Sequence, residues 1–130
     1  MKNKLTQLPE GELELMQCLW DAGGPVERRS FDSAFRASRN WADSTILTML
    51  ARLEKKGFVR ISKDGNRNLY TPAVSRQQYL DYVNNSFVSR LYHNSFTGMV
   101  AAMAASRKVS EQELDELSSL IEKLKGEDGK

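Results

Sequence analysis

Residues 41–72, WADSTILTMLARLEKKGFVRISKDGNRNLYTP, decide the fold. At about 100° per residue, Ile46, Leu50 and Leu53 fall on one side of a helix, with Met49 at its edge. Ser44, Thr45, Thr48, Arg52 and Lys55 fall on the opposite side. One face is therefore apolar and the other carries hydroxyls, a guanidinium and an ammonium. That second face suits a major groove, where Arg grips guanine bidentately and Ser or Thr serve base edges or phosphate oxygens. Gly57 ends the helix as a C′ residue, and Lys55 and Lys56 occupy the last turn, where cations are favoured. Val59 and Ile61 then alternate with Arg60 and Ser62, the pattern of a half-buried strand. Asp64-Gly65 is a hairpin signal, Lys63 and Arg67 stand at its tip, and Pro72 closes the returning strand. A helix with a polar-basic face followed by a basic-tipped hairpin is the winged helix-turn-helix pattern. An amphipathic helix with a solvated face accounts for the helix equally well; the hairpin directly after it tips the balance toward nucleic acid.

The bulk properties agree. With 130 residues the chain is long enough for one domain with its own core, plus an appended oligomerisation segment, without disulfides or metal. Net charge is only +2, but it is unevenly spread. From Pro25 to Pro72 there are ten Lys/Arg against five Asp/Glu, whereas the flanks on either side are slightly acidic. A basic middle between acidic flanks is the electrostatic footprint of a DNA-binding module. Cys18 is the single cysteine, so no internal disulfide or thiolate cluster can form, and a reducing, cytoplasmic setting is expected. Its simplest role is a small buried hydrophobe in the first helix. Met1 to Thr6 is polar and basic, with no apolar stretch of the kind a secretory signal needs. The longest apolar run, Met99 to Ala105, is far short of the roughly 20 residues of a membrane span.

Taken in order, the chain reads as a first helix from Pro9 or Glu10 to Asp21, burying Leu13, Met16, Leu19 and Trp20. Gly23-Gly24-Pro25 is a break. A second helix, from Val26 or Arg28 to Arg36, buries Phe31, Ala34 and Phe35. Asn40 is placed to cap the third helix, with Asp43 in a capping-box-like position. These helices and the hairpin share one core, so the chain up to Pro72 is expected to fold by itself. Ser75 to Gln78 is a capping box opening a long helix through Tyr79, Tyr82, Val83, Phe87 and Leu91. His93-Asn94-Ser95 is a joint, Phe96 to Ala105 a short helix, and Ser110 to Glu113 a second capping box. The last helix carries Leu114, Leu117, Leu120, Ile121 and Leu124. These tail helices hold more apolar surface than isolated elements can leave in water, and pairing with the same helices of a second chain is the economical explanation. Folding back on their own domain is the competing one. The expected architecture is mainly α with a small β-hairpin wing: a DNA-binding domain over residues 1–73, a helical dimerisation segment over 74–125 and a frayed tail over 126–130.

Over nearly its whole length the chain resembles the penicillinase-repressor family, the BlaI/MecI/CopY type. The residues that carry the resemblance are Glu12 with Met16, Leu19 and Trp20; Trp41 with Thr45-Ile46, Thr48 and Arg52-Leu53; Lys56-Gly57-Phe58-Val59; Lys63-Asp64-Gly65 with Tyr70; and Ser110 with the Leu-rich last helix. The resemblance implies a dimeric winged-helix repressor on a dyad operator, with Ser44, Thr45, Thr48 and Arg52 facing the groove. It also implies inactivation by a membrane-spanning zinc-protease sensor that cuts between the dimerisation helices. Aligned with the family, that bond is Ala102–Met103, where the family has Asn and Phe. Plain close packing of a small-residue helix accounts for Met99 to Ala105 equally well. Two further departures stand out. The family often begins its recognition helix with Ser-Pro, and Ala42-Asp43 stands here, placing a carboxylate near phosphates. The copper-responsive branch has paired cysteines near its C-terminus, which this chain lacks.

The leading reading is a transcriptional repressor; the alternative is a winged helix used for protein–protein assembly, its basic face merely solvated. An enzyme is the weakest reading. There is no H-E-x-x-H, C-x-x-C or G-x-G-x-x-G, no paired nucleophile and base, and a lone His93 at a helix joint. No motif is present to hold a nucleotide or metal cofactor.

Overall fold

The computed structural model describes residues 5–36 and 38–128. The elements follow in the order α1 (Glu10–Ala22), β1 (Val26–Glu27), α2 (Arg28–Arg36), α3 (Asp43–Lys55), β2 (Val59–Asp64), β3 (Arg67–Pro72), α4 (Arg76–Tyr92), α5 (Phe96–Ser106) and α6 (Glu111–Asp128). The chain divides into two compact units, residues 1–84 and 85–130, with the boundary inside α4. α6 runs on through Gly126, so the residues expected to fray from 126 are helical as far as Asp128; 129 and 130, like 1–4, lie outside the described residues.

In the first unit the apolar stripes of three helices close on the sheet. α1 contributes Leu15, Met16 and Leu19, α2 Phe31 and Phe35, and α3 Ile46, Met49, Leu50 and Leu53. The expected stripe of α1 is rotated slightly: Leu15 is fully buried, while Leu13 and Trp20 are only partly so. Ala34 is exposed, because α2 is short and turns only Phe31 and Phe35 inward. α1 crosses α3 at Gly11, where a Cβ would lie 2.9 Å from Met49 Sδ; the missing side chain permits the close approach. The core extends to Phe58, Val59, Tyr70 and Val74, and on into α4 through Tyr79. Phe31 meets Tyr70 edge-on at 5.9 Å and Phe58 meets Tyr79 edge-on at 5.7 Å, the arrangement favoured by ring quadrupoles.

The sheet order is β1-β3-β2, antiparallel throughout. β2 and β3 form the expected hairpin, but Asp64 pairs with Arg67, so the two-residue loop is Gly65-Asn66, one residue later than the sequence signal. Gly65 takes the positive φ of 66° that a two-residue hairpin loop with glycine first favours. β1 is an element the sequence pattern does not reveal. Its two residues pair Val26 with Tyr70 and Glu27 with Leu69.

Tyr79 corrects an expectation. Its helical spacing puts it on the expected dimer surface, yet it is 5% exposed inside the first unit, where its hydroxyl accepts from the Leu8 N–H at 2.7 Å. It also packs 5.9 Å from Trp20, whose indole N–H donates to the Val74 carbonyl. Val83 likewise packs against this core. The first unit therefore needs the start of α4 and does not close at Pro72. The capping box that opens α4 is present: Gln78 N–H donates to Ser75 Oγ at 3.1 Å, and Ser75 N–H to Gln78 Oε1 at 2.8 Å.

In the second unit His93 and Asn94 take positive φ and form the joint between α4 and α5. Ser95 caps α5 by accepting from Gly98 N–H. Ser110 caps α6, accepting from Glu113 N–H at 3.1 Å. Phe87 packs 5.6 Å from Tyr92. Neither α5 nor α6 has a buried side chain among its described residues. Leu91, Phe96 and Met103 are exposed, as are Leu114, Leu120, Ile121 and Leu124 along α6, with Leu117 half-buried.

Candidate nucleic-acid interface

The third helix presents the face that its sequence pattern predicts. Ile46, Leu50 and Leu53 are buried to 1% exposure or less, whereas Ser44, Thr45, Thr48, Arg52 and Lys55 are all exposed. A helix whose inward side chains are locked in the core holds its outward ones at fixed angles, which is what a reading surface requires. Thr48 Oγ1 donates to the Ser44 carbonyl at 2.8 Å. Its proton is thereby committed to the helix, and the lone pairs and γ-methyl are what it offers outward.

The start of α3 differs from the capping expectation. Ala42 is the N-cap and supplies no side-chain bond, and the helix begins at Asp43. Asn40 sits outside, at φ 56°, where its N–H and that of Arg39 donate to the Phe35 carbonyl. It therefore closes α2 and does not open α3. Asp43 lies in the first turn, where the helix dipole favours a carboxylate, and Arg28 Nη1 stands 3.8 Å from it. Arg28 also reaches Asp32 at 3.6 Å. The misplaced negative charge of Asp43 is thus answered within the protein.

At the other end of α3 the two lysines separate. Lys55 faces solvent, while Lys56 Nζ lies 2.5 Å from Glu12, which is 3% exposed in α1. Lys56 is therefore committed to the fold. On the wing, Lys63 and Arg60 are exposed. Arg67 is also exposed, but its guanidinium is held by Glu27 at 3.0 Å and by Asp64 at 2.8 Å. Arg39, elsewhere in the basic middle, is ion-paired with Glu14 and Glu10 and lies over the Trp41 ring. Not every basic residue of the middle segment is thus available to a partner.

Two hollows flank the outward face. One is shallow and lined by Ser44, Thr45, Thr48, Met49 and Arg52. The other, about 280 Å³, lies between the wing, the start of α2 and α3, and is lined by Glu27, Arg28, Arg29, Leu47, Asn66, Arg67, Asn68 and Tyr70. Arg28, Arg29 and Leu47 did not emerge from the sequence as site residues; Leu47 was detectable as the apolar exception on the outward half of the helix. Among the described residues no cluster of His, Cys, Asp or Glu is arranged to hold a metal ion, and no helix is long and apolar enough to cross a membrane.

The model of the penicillinase repressor family matches residues 8–123. The chain belongs to that family. It is 30% identical over 122 residues to the penicillinase repressor of Bacillus licheniformis, covering 94% of each chain. It is 26% identical over 128 residues to the methicillin resistance regulatory protein MecI of Mammaliicoccus sciuri, covering 95% of this chain and 99% of that one. Among solved structures, the DNA-binding domain of the repressor BlaI superposes with a TM-score of 0.53 at 31% identity, over 60% of this chain and 94% of that one. Monomeric B. licheniformis BlaI in complex with the blaP half-operator superposes with a TM-score of 0.51 at 32% identity, over 58% of this chain and 92% of that one. The fold is accordingly a winged helix with an appended helical segment, and membership of this family makes the protein a DNA-binding repressor and not an enzyme.

Proposed function

We propose that the protein is a cytoplasmic, sequence-specific transcriptional repressor that binds a dyad operator as a homodimer. The observation that carries the reading is the outward face of α3, where Ser44, Thr45, Thr48 and Arg52 are exposed on a helix anchored by a fully buried opposite face. Ser44, Thr45, Thr48 and Arg52 meet the major groove, Lys55 and the wing residue Lys63 meet phosphates, and Arg67 braces the wing. A relative of this fold in complex with a half-operator supports a nucleic-acid partner over the assembly-module alternative. The exposed apolar residues Leu91, Leu114, Leu120, Ile121 and Leu124, and the half-buried Tyr82, Phe87 and Leu117, are the apolar side chains on offer to a second copy. Two linked reading helices then engage two half-sites as one event.

The test is titration of full-length protein on duplex DNA across a salt series. A repressor gives an enriched sequence bound far more tightly than random duplex, with a log–log salt slope of roughly −0.9 per phosphate contact. Equal, salt-insensitive retention of all sequences would favour the assembly module.

The mode of release that the family resemblance implies is cleavage of Ala102–Met103 by a membrane-bound sensor protease, detaching α6 and weakening the dimer. Both side chains are exposed, but the bond lies in the middle of α5, so that turn of helix must unwind to enter a protease. The mass of the repressor recovered from induced cells decides the matter: intact chain released from its operator rules cleavage out.

A further inference from the structure

Leu47 is the only large hydrophobic of α3 left exposed, at 44%; Ile46, Met49, Leu50 and Leu53 are all 9% or less. On helical spacing the outward axis runs near Ser44, Thr48 and Lys55, and Leu47 and Arg52 lie on opposite flanks of it, each roughly 70° away. A duplex seated on this face meets Arg52 on one side and Leu47 on the other. Leu47 also forms the α3 wall of the 280 Å³ hollow whose other walls include Glu27, Arg28, Arg29, Arg67 and Asn68. Arg28 and Arg67 are already ion-paired there, but Arg29 is exposed and makes no ion pair among the described residues, and an apolar protein partner would strand its charge. Leu47 and Arg29 together suit an anionic surface that carries a small apolar group in reach. In the major groove that group is the 5-methyl of thymine, set between phosphate-lined walls.

We propose that Leu47 is a specificity-determining residue that reads the 5-methyl group of a thymine in each half-site, with Arg29 facing the adjoining backbone. The inference rests on the DNA-binding reading above. The commitment of the Thr48 hydroxyl proton to the Ser44 carbonyl is consistent with it, since Thr48 then offers the centre of the face no donor of its own.

The experiment begins by selecting sites from a random-sequence duplex library with the full-length protein. The selected duplex is then remade with deoxyuridine in place of each invariant thymine, one at a time, which deletes only the methyl. Wild-type protein is expected to lose about fourfold in affinity per half-site at one position, the loss from removing one buried methyl. Leu47→Ala, on an exposed helix position that alanine suits, is expected to bind thymine and uracil duplexes alike at that position while keeping its affinity for random duplex. A second variant, Leu47→Gln, is expected to select a different base there. If Leu47→Ala keeps the full thymine preference, or if the selected site contains no invariant thymine, the assignment of Leu47 is wrong and the DNA-binding reading stands. If the library yields no enriched sequence, the DNA-binding reading itself fails.

Discussion

At the scale of single residues, charge partners separate what reads from what holds. Arg52 is exposed and makes no ion pair among the described residues, so its guanidinium is available to a base. Arg52→Ala is expected to cost about 1–3 kcal/mol on the specific site and much less on random duplex. Titrating both duplexes at one salt concentration checks this, and equal losses would reassign Arg52 to a phosphate. Lys56 is the contrasting case. Its partner Glu12 is 3% exposed, whereas Lys56 itself is about one-third exposed and can swing into water. Lys56→Met strands a buried carboxylate and is expected to destabilise the fold by about 3 kcal/mol; Glu12→Gln costs less, and combining the two recovers much of the loss. Chemical denaturation of the four proteins measures the asymmetry. Cys18 offers a pH-dependent check: burial, with the charge of Asp21, pushes its thiol above the ordinary value. The raised value leaves less thiolate at mildly alkaline pH. Alkylation of Cys18 in the native state is therefore expected to lag behind that in denatured protein, and the lag to close as pH rises.

At the scale of elements, the wing divides its two tip cations. Lys63 has no carboxylate within ion-pair distance among the described residues, while Arg67 is held between Glu27 and Asp64. Lys63→Ala is expected to lower the salt slope by roughly one unit, and Arg67→Ala by clearly less, because a cation already neutralised releases fewer counterions. Equal slope changes would show that Arg67 leaves its carboxylates for DNA. The sequence alone marks both as phosphate contacts, since it lists charges without their partners. Glu27 is the partner that the sequence hides: β1 is two residues long, too short to show alternation, and its pairing is with a strand some 40 residues later. Helix α3 and the capping boxes at Ser75 and Ser110 were legible because their signals are local, a period or a four-residue spacing. Asn40 misled for a related reason. Its composition fits a cap, but only the backbone reveals that it ends α2 in the left-handed region.

At the scale of the molecule, Tyr79 redraws the boundary of the reading unit. A fragment ending at Pro72 loses the Tyr79 hydroxyl that receives Leu8 N–H and the ring that packs on Trp20 and Phe58, a loss of about 3–5 kcal/mol for a buried aromatic. A fragment ending at Asn84 keeps both. The longer fragment is expected to melt cooperatively as a monomer and to bind a full dyad hardly better than a half-site, while the shorter one is largely unfolded. Sedimentation and circular dichroism distinguish them, and a dimeric 1–84 fragment would relocate the interface out of residues 85–130. Periodicity placed Tyr79 correctly on a helix face but could not say which surface it meets, because an aromatic seeks apolar cover wherever the chain supplies it.

The separation of the two faces of α3 also bears on how such a protein diversifies. Ser44, Leu47, Thr48 and Arg52 touch solvent, while the side chains that fasten the helix point the other way. Varying those four positions leaves the foundation intact, so a combinatorial library there is expected to consist mostly of folded proteins. New operators are then reachable by small steps, and several repressors built on one scaffold can share a cell without cross-talk.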